Sequence, residues 1–335
     1  MKTVFLTLCF ALSVSMSAWA QDSSDTQAVG SKETCKECTD ALQKVDFASD
    51  MSQLLASLNS AYQCKENTSK EDCLLIDWLK WKHEDYAPNC KGFFLDDKGN
   101  LGSFSKLPVS LIADDIKRFG DQSVFVKTNP DFDRYCPQFK NFTNTQKIAF
   151  HTWIFELLAF PESTCNINVK PNVSAPTTKA VCLYQLEDVP KFRAWRSAGF
   201  TPARCAVSAE QILTLEGCTG CAFDEYKRQT TKTGTPFGTI DAKGNRISGA
   251  YWASFNPLPP KSTACFEKYL NPKTGDPLMT GGKPTFLSAC KDFGSNWEWI
   301  PRYKFPRRLQ KFPLCGSSAA KLEVEKLEAY KAGKK

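Results

Sequence analysis

Between Ile148 and Phe160 the chain leaves almost no polar face. Ile148, Ala149, Phe150, Trp153, Ile154, Phe155, Leu157, Leu158, Ala159 and Phe160 cover the circumference of a helix, so a helix here must be enclosed by protein on nearly every side. The run is too short to span a bilayer, and His151 and Glu156 interrupt it. It predicts the central helix of a core, for which the rest of the chain supplies the walls.

Met1 to Ala20 is expected to lie outside that core. Lys2, the apolar run from Val4 to Val14 and the small-x-small sequence Ala18-Trp19-Ala20 form a secretion signal with cleavage before Gln21. Cys9 lies within this leader, so fourteen of the fifteen cysteines remain in the mature chain. An even number in an exported protein implies a disulfide framework, with pairing that sequence alone does not give. Cys35-x-x-Cys38 and Cys218-x-x-Cys221 suggest zinc knuckles in isolation. Their wide separation and the oxidising destination favour bridges instead. The chain has only two histidines, His83 and His151, which leaves little material for histidine-based metal or triad chemistry. His151, on the apolar helix, is expected to be a satisfied core residue.

The helix runs into Phe160-Pro161-Glu162-Ser163-Thr164-Cys165-Asn166. Pro161 lacks an N–H and restricts its predecessor, so the helix is expected to stop or distort there and turn Glu162 outward. Helix-end carbonyls carry partial negative charge, and apolar neighbours strip water from a carboxyl. Both effects favour the neutral acid, the form that protonates a leaving sugar oxygen. The plainer reading of Glu162 is a helix-end carboxylate facing water.

A helix ending in Glu162-Ser163-x-Cys165-Asn166, a polar loop, and then Ala180-x-x-Leu183-Tyr184-Gln185 resembles the lytic transglycosylases and goose-type lysozymes of the lysozyme superfamily. The resemblance covers roughly Thr145 to Trp252. It implies that Glu162 is the catalytic acid/base, that Ser163 is the serine beside it, and that Leu183, Tyr184 and Gln185 line the sugar cleft. Cys182 stands where that family usually has glycine, a departure that bears on the local backbone because glycine adopts conformations cysteine resists. Cys221-Ala222 matches part of a family helix, and Tyr251-Trp252 resembles a Tyr-Trp pair near the cleft of related wall-degrading proteins. By that resemblance Tyr251 and Trp252 are sugar contacts. From Ser163 through Leu186 there is no Asp or Glu, which favours chemistry with one carboxylate, although Glu187 and Asp188 follow as the nearest candidates and folding is able to bring Asp224, Glu225 or another acid across. The resemblance to lytic transglycosylases implies that one glutamate acts first as acid and then as base, closing a 1,6-anhydro sugar. Hydrolysis remains open.

Before the central helix, Thr34 and Asp50 are expected to cap two short helices, and Ser69-x-x-Asp72 a third that carries Leu74, Leu75, Trp78 and Leu79. Phe93-Phe94-Leu95 and Leu101 to Phe104 read as a hairpin, and Pro108 to Phe119 as an amphipathic helix. After Gln185, the aromatic cluster Phe192, Trp195 and Phe200 fits either sugar subsites or a core, and Glu210 to Arg228 reads as helix-rich. Ser318 to Ala332 is charged with a thin apolar stripe and is expected to be an exposed helix or a tail.

The expected organisation is a leader (1–20), a Cys-rich helical region (21–130), a lysozyme-like catalytic domain (131–315) and a charged tail (316–335). The expected fold is mainly α, of the α+β lysozyme-like kind, with a helical core around a buried central helix and disulfide-rich flanks. The expected protein is secreted or periplasmic and monomeric, has no stable membrane anchor, needs no cofactor or metal, and cleaves the glycan strands of peptidoglycan. The formal charge of +7 suits an anionic polymer, but the basic residues match no nucleic-acid motif, and no nucleic-acid partner is expected. Two rivals stay open. One is a non-catalytic peptidoglycan-binding or inhibitory protein on the same scaffold, and the other a disulfide-stabilised adhesion protein.

Overall fold

A computed structural model describes residues 63–66, 68–82, 90, 94–95, 99–167, 180–187, 211–240, 243, 246–249, 252, 255–256, 258–271, 277–291 and 299–333. In chain order the elements are α1 (Lys70–Lys82), α2 (Lys106–Phe119), α3 (Pro130–Tyr135), α4 (Asn144–Ser163), β1 (Ala180–Val181), β2 (Leu186–Glu187) and α5 (Leu215–Thr233). They continue with β3 (Thr239–Ile240), β4 (Arg246–Ser248), α6 (Pro260–Glu267), β5 (Met279–Thr280), β6 (Lys283–Pro284), α7 (Phe286–Ala289), α8 (Trp299–Leu309) and α9 (Ser318–Gly333). The fold is mainly helical. Its described strands form three two-stranded antiparallel sheets, β1–β2, β3–β4 and β5–β6, and an isolated antiparallel bridge pairs Leu95 with Leu101. The leader, the segments beginning at Thr34 and Asp50, Cys35-x-x-Cys38, His83 and the Phe192–Phe200 cluster lie outside the described residues.

The all-round apolar helix is α4, and Ile148 through Ala159 are buried along it. Its start is fixed by a capping box in which the Gln146 amide donates to Thr143 Oγ1 (3.3 Å) and the Thr143 amide to Gln146 Oε1 (3.0 Å). Gln146 Nε2 also donates to Asp72 Oδ1 of α1 (2.8 Å), so the cap joins two helices. At the other end the expected break at Pro161 does not occur, because α4 continues to Ser163. Proline has a helical φ, and in the last turn its missing N–H removes one bond with little helix left to disrupt. The helix ends instead at two left-handed residues, Thr164 (φ 51°) and Cys165 (φ 56°). The Thr164 amide donates to Phe160 O (2.9 Å) and that of Cys165 to Ala159 O (3.3 Å).

Helix α2 packs against α4 and α5, and α8 packs against α4. Buried Asp115 of α2 accepts from Ser123 Oγ (2.7 Å) and pairs with Lys227 of α5. Trp78 of α1 meets Trp153 edge-on at 4.8 Å and Phe312 at 5.7 Å. Residues on both sides of position 130, among them Val109, Phe125, Phe132 and Phe150, share one hydrophobic core. His151 is fully buried there, facing the edges of Phe125, Phe132 and Phe139. A smaller core of Leu258, Phe266, Phe286 and Tyr303 is stapled by Cys265–Cys290.

The charged segment after residue 316 is a helix docked on the core, where exposure was expected. Ala320, Glu323 and Leu327 are buried at helical spacing. Glu323 is held by Lys326 (3.3 Å) and Lys311 (3.6 Å), and Lys331 reaches Asp77 of α1 (2.7 Å). Long charged stems around a narrow inward stripe make such a helix look exposed in sequence.

Five disulfides join described cysteines: Cys64–Cys73, Cys90–Cys165, Cys136–Cys315, Cys182–Cys218 and Cys265–Cys290. Cys221 is disulfide-bonded as well, so neither thiol of Cys218-x-x-Cys221 is left for zinc. These bridges fit an exported chain. Among the described residues no helix is long and apolar enough to cross a membrane.

Candidate functional site

The end of α4 meets the turn between β1 and β2. The two strands pair Ala180 with Glu187 and Val181 with Leu186, so Cys182-Leu183-Tyr184-Gln185 forms the turn of a short hairpin, closed by the Gln185 amide donating to Cys182 O (3.2 Å). Each of the first three turn carbonyls is claimed. Cys182 O also accepts from Gln185 Nε2 (2.9 Å), Leu183 O accepts from Ser163 Oγ (2.7 Å), and Tyr184 O accepts from the Trp252 indole Nε1–H (2.9 Å). The Ser163–Leu183 bond crosses twenty positions of sequence. It ties the last turn of α4, the turn that carries Glu162, to the hairpin.

Glu162 is half-buried, one residue before this tether. Ser163 is buried, and its hydroxyl lies 3.1 Å from Ala159 O as well as 2.7 Å from Leu183 O. With one proton to donate, the hydroxyl favours the shorter contact. Arg308 of α8 lies over the Phe160 ring at 4.5 Å, bringing a cation to the last turn of α4, where helix carbonyls favour positive charge.

Beneath the turn the chain is dry. Leu183 and Tyr184 are fully buried and Trp252 is 4% exposed, whereas Gln185 is half-buried. Leu183 and Tyr184 therefore shape the site from below, and Trp252 presents little of its ring to solvent. Tyr184 packs edge-on against Phe155 of α4 at 5.7 Å. Burial raises the pKa of its hydroxyl, the neighbouring Thr219 hydroxyl opposes that rise, and the Glu156 carboxylate adds to it. Tyr251 lies outside the described residues.

Backbone strain converges on the same place. Among the described residues, four that are not glycine have positive φ: Thr164 (51°), Cys165 (56°), Cys182 (63°) and Gln185 (48°). All four lie at the junction of α4 with the hairpin. A left-handed non-glycine residue costs about 1–2 kcal/mol, and such costs tend to persist at functional sites, where surrounding structure over-determines the conformation. Two disulfides do so here. Cys165 is tied to Cys90, and Cys182 to Cys218 in the first turns of α5. No protein-family model, curated protein or solved structure matches the chain.

Of the residues expected to form a site, Ser163, Leu183, Tyr184, Gln185 and Trp252 are joined through the bonds of this turn, and Glu162 precedes Ser163 in the last turn of α4. Among the carboxylates considered as a second catalytic group, Glu225 is buried and held by Arg228, whose Nε donates to it at 2.8 Å. Glu187 sits in β2 opposite Ala180. Sequence reasoning missed the Cys182–Cys218 bridge and the Glu156 and Thr219 groups near Tyr184. The signal for the bridge was a cysteine at the head of a turn, in a position that favours glycine.

Proposed function

We propose that this is an exported peptidoglycan-cleaving enzyme with a lysozyme-like α+β fold, acting on the β-1,4 glycosidic bonds of glycan strands with Glu162 as general acid and base. The observation that carries this reading is the junction itself. The last turn of an enclosed helix, which carries the half-buried Glu162, is held by the Ser163–Leu183 bond to a strained, disulfide-anchored turn, and strain of this kind persists where geometry is needed for function.

In this reading the Glu162 carboxyl gives its proton to the glycosidic oxygen as the bond from C1 to that oxygen breaks. The resulting carboxylate then takes a proton from the group that attacks C1. If that group is the sugar's own C6 hydroxyl, a 1,6-anhydro product forms. If it is water, a reducing end forms. The commitment of Glu225 to Arg228 favours the one-carboxylate route. Mass spectrometry of fragments released from purified sacculi, native and de-N-acetylated, separates the two products. A 1,6-anhydro end makes the enzyme a lytic transglycosylase, and a reducing end makes it a lysozyme.

A second reading has its own support. Cys182 stands where the resembled enzymes usually have glycine, and no carboxylate follows Glu162 through Leu186, a pattern that also suits a non-catalytic wall-binding or inhibitory protein. Such a protein sediments with sacculi, releases nothing from either substrate, and binds equally well as Glu162→Gln.

A further inference from the structure

Cys182 opens the hairpin turn with φ 63°, a conformation that glycine takes freely and a side chain with Cβ resists. It is fully buried, as is its partner Cys218, and the two Cα atoms are 6.1 Å apart. Cys218 lies in a rigid place, because Thr214 caps α5 by accepting from the Gly217 amide (3.1 Å) and the Cys218 amide donates to Thr214 O (2.9 Å). The bridge thus connects the firm start of α5 to the residue from which the turn departs. From that residue onward come the three carbonyls, of Cys182, Leu183 and Tyr184, that meet Gln185, Ser163 and Trp252. Rotating Cys182 out of the left-handed region changes the direction of every following peptide, and Leu183 O then leaves Ser163.

We propose that the Cys182–Cys218 disulfide is a positioning device that holds residue 182 left-handed, doing by cross-link what glycine does by lacking Cβ, so that the turn seats on Ser163 beside Glu162. This inference rests on the enzymatic reading for its effect on rate, but not for its effect on the turn.

The test compares two full-length variants that lack the same bridge, Cys182→Gly/Cys218→Ala and Cys182→Ala/Cys218→Ala. Two quantities are read: the rate of fragment release from sacculi, and the hydrogen-exchange rate of the Trp252 indole N–H. Thermal melts confirm that both variants fold, and the exchange reading needs no substrate. The alanine pair is expected to lose activity and to exchange Trp252 N–H faster by about tenfold, the population shift to which a left-handed penalty corresponds. The glycine pair is expected to stay within about threefold of the wild type in both, because glycine bears no such penalty. Equal behaviour of the two pairs, whether both intact or both impaired, overturns the proposal. If the wild-type protein releases no fragments, the enzymatic reading fails, and the exchange comparison still decides this inference.

Discussion

Ser163 illustrates how much depends on single donors at this junction. Its hydroxyl closes the contact with Leu183 O at 2.7 Å in a buried setting, so Ser163→Ala leaves that carbonyl without its side-chain donor. Loss of a buried partner of this kind costs about 1–3 kcal/mol. Urea denaturation is expected to show a fall within that range, with fragment release falling by a larger factor than stability alone accounts for. An unchanged midpoint contradicts the tether. His151 offers a second test. Its Nε2 lies 3.1 Å from Phe125 O and its Nδ1 2.9 Å from the Tyr226 hydroxyl, so the neutral ring donates to the carbonyl and accepts from the phenol. Burial lowers its pKa to about 3 from the ordinary 6.5, the bond to Phe125 O opposes that shift, and the charge of Lys147 adds to it. The folded protein therefore stays neutral at His151 where the unfolded chain takes a proton. Stability from this residue is complete above pH 6.5 and declines as pH falls toward 3, on the order of 5 kcal/mol over the full interval. His151→Gln keeps one donor and one acceptor without the titration, and is expected to flatten the loss of urea resistance between pH 7 and pH 4. An unchanged slope contradicts the assignment. At this scale the meeting of Ser163 with the Leu183–Gln185 segment was legible because each sits in a contiguous motif. The left-handed conformation of Cys182 was not, because it depends on a partner in a distant helix.

Elements were legible in proportion to their periodicity. The buried α4 follows from its unbroken apolar surface, and α2 and α5 from spaced apolar residues ending in left-handed or glycine caps. The capping box of α4 formed no part of the expectation from sequence. Thr143 and Gln146 have the required spacing, but the further reach of Gln146 to Asp72 joins positions far apart in sequence. Thr143→Ala is expected to lower stability by about 1 kcal/mol, measured as a shift in the urea midpoint, and no shift argues that the cap carries nothing. The hairpin β1–β2 escaped notice because its strands, Ala180–Val181 and Leu186–Glu187, are too short for a period-two pattern to register. The end of α4 departs from the expected stop or distortion at Pro161 for a local reason: the last turn of a helix tolerates proline, and the reversal comes from Thr164 and Cys165.

For the whole molecule, cross-links do what the sequence pattern cannot announce. Cys136 and Cys315 are separated by 179 positions, and closing so long a loop stabilises by about 5 kcal/mol in the chain-entropy account. Replacing both with serine is expected to lower unfolding free energy by about 4–5 kcal/mol, read from denaturant titration of the otherwise oxidised protein. A change under about 1 kcal/mol means that the core holds these ends without the bridge. An even cysteine count made bridges legible, but their pairing and the docking of α9 on α1 through Lys331 and Asp77 emerge only in three dimensions. The central claim is that Glu162 cleaves glycan strands, and its most direct measurement is fragment release from sacculi by wild type and by Glu162→Gln, with the same thermal melt shown for both. The account predicts release by the wild type and a loss of at least about a hundredfold in the variant, the lower bound for removing a general acid. Equal release by the two proteins, or none by either, contradicts it.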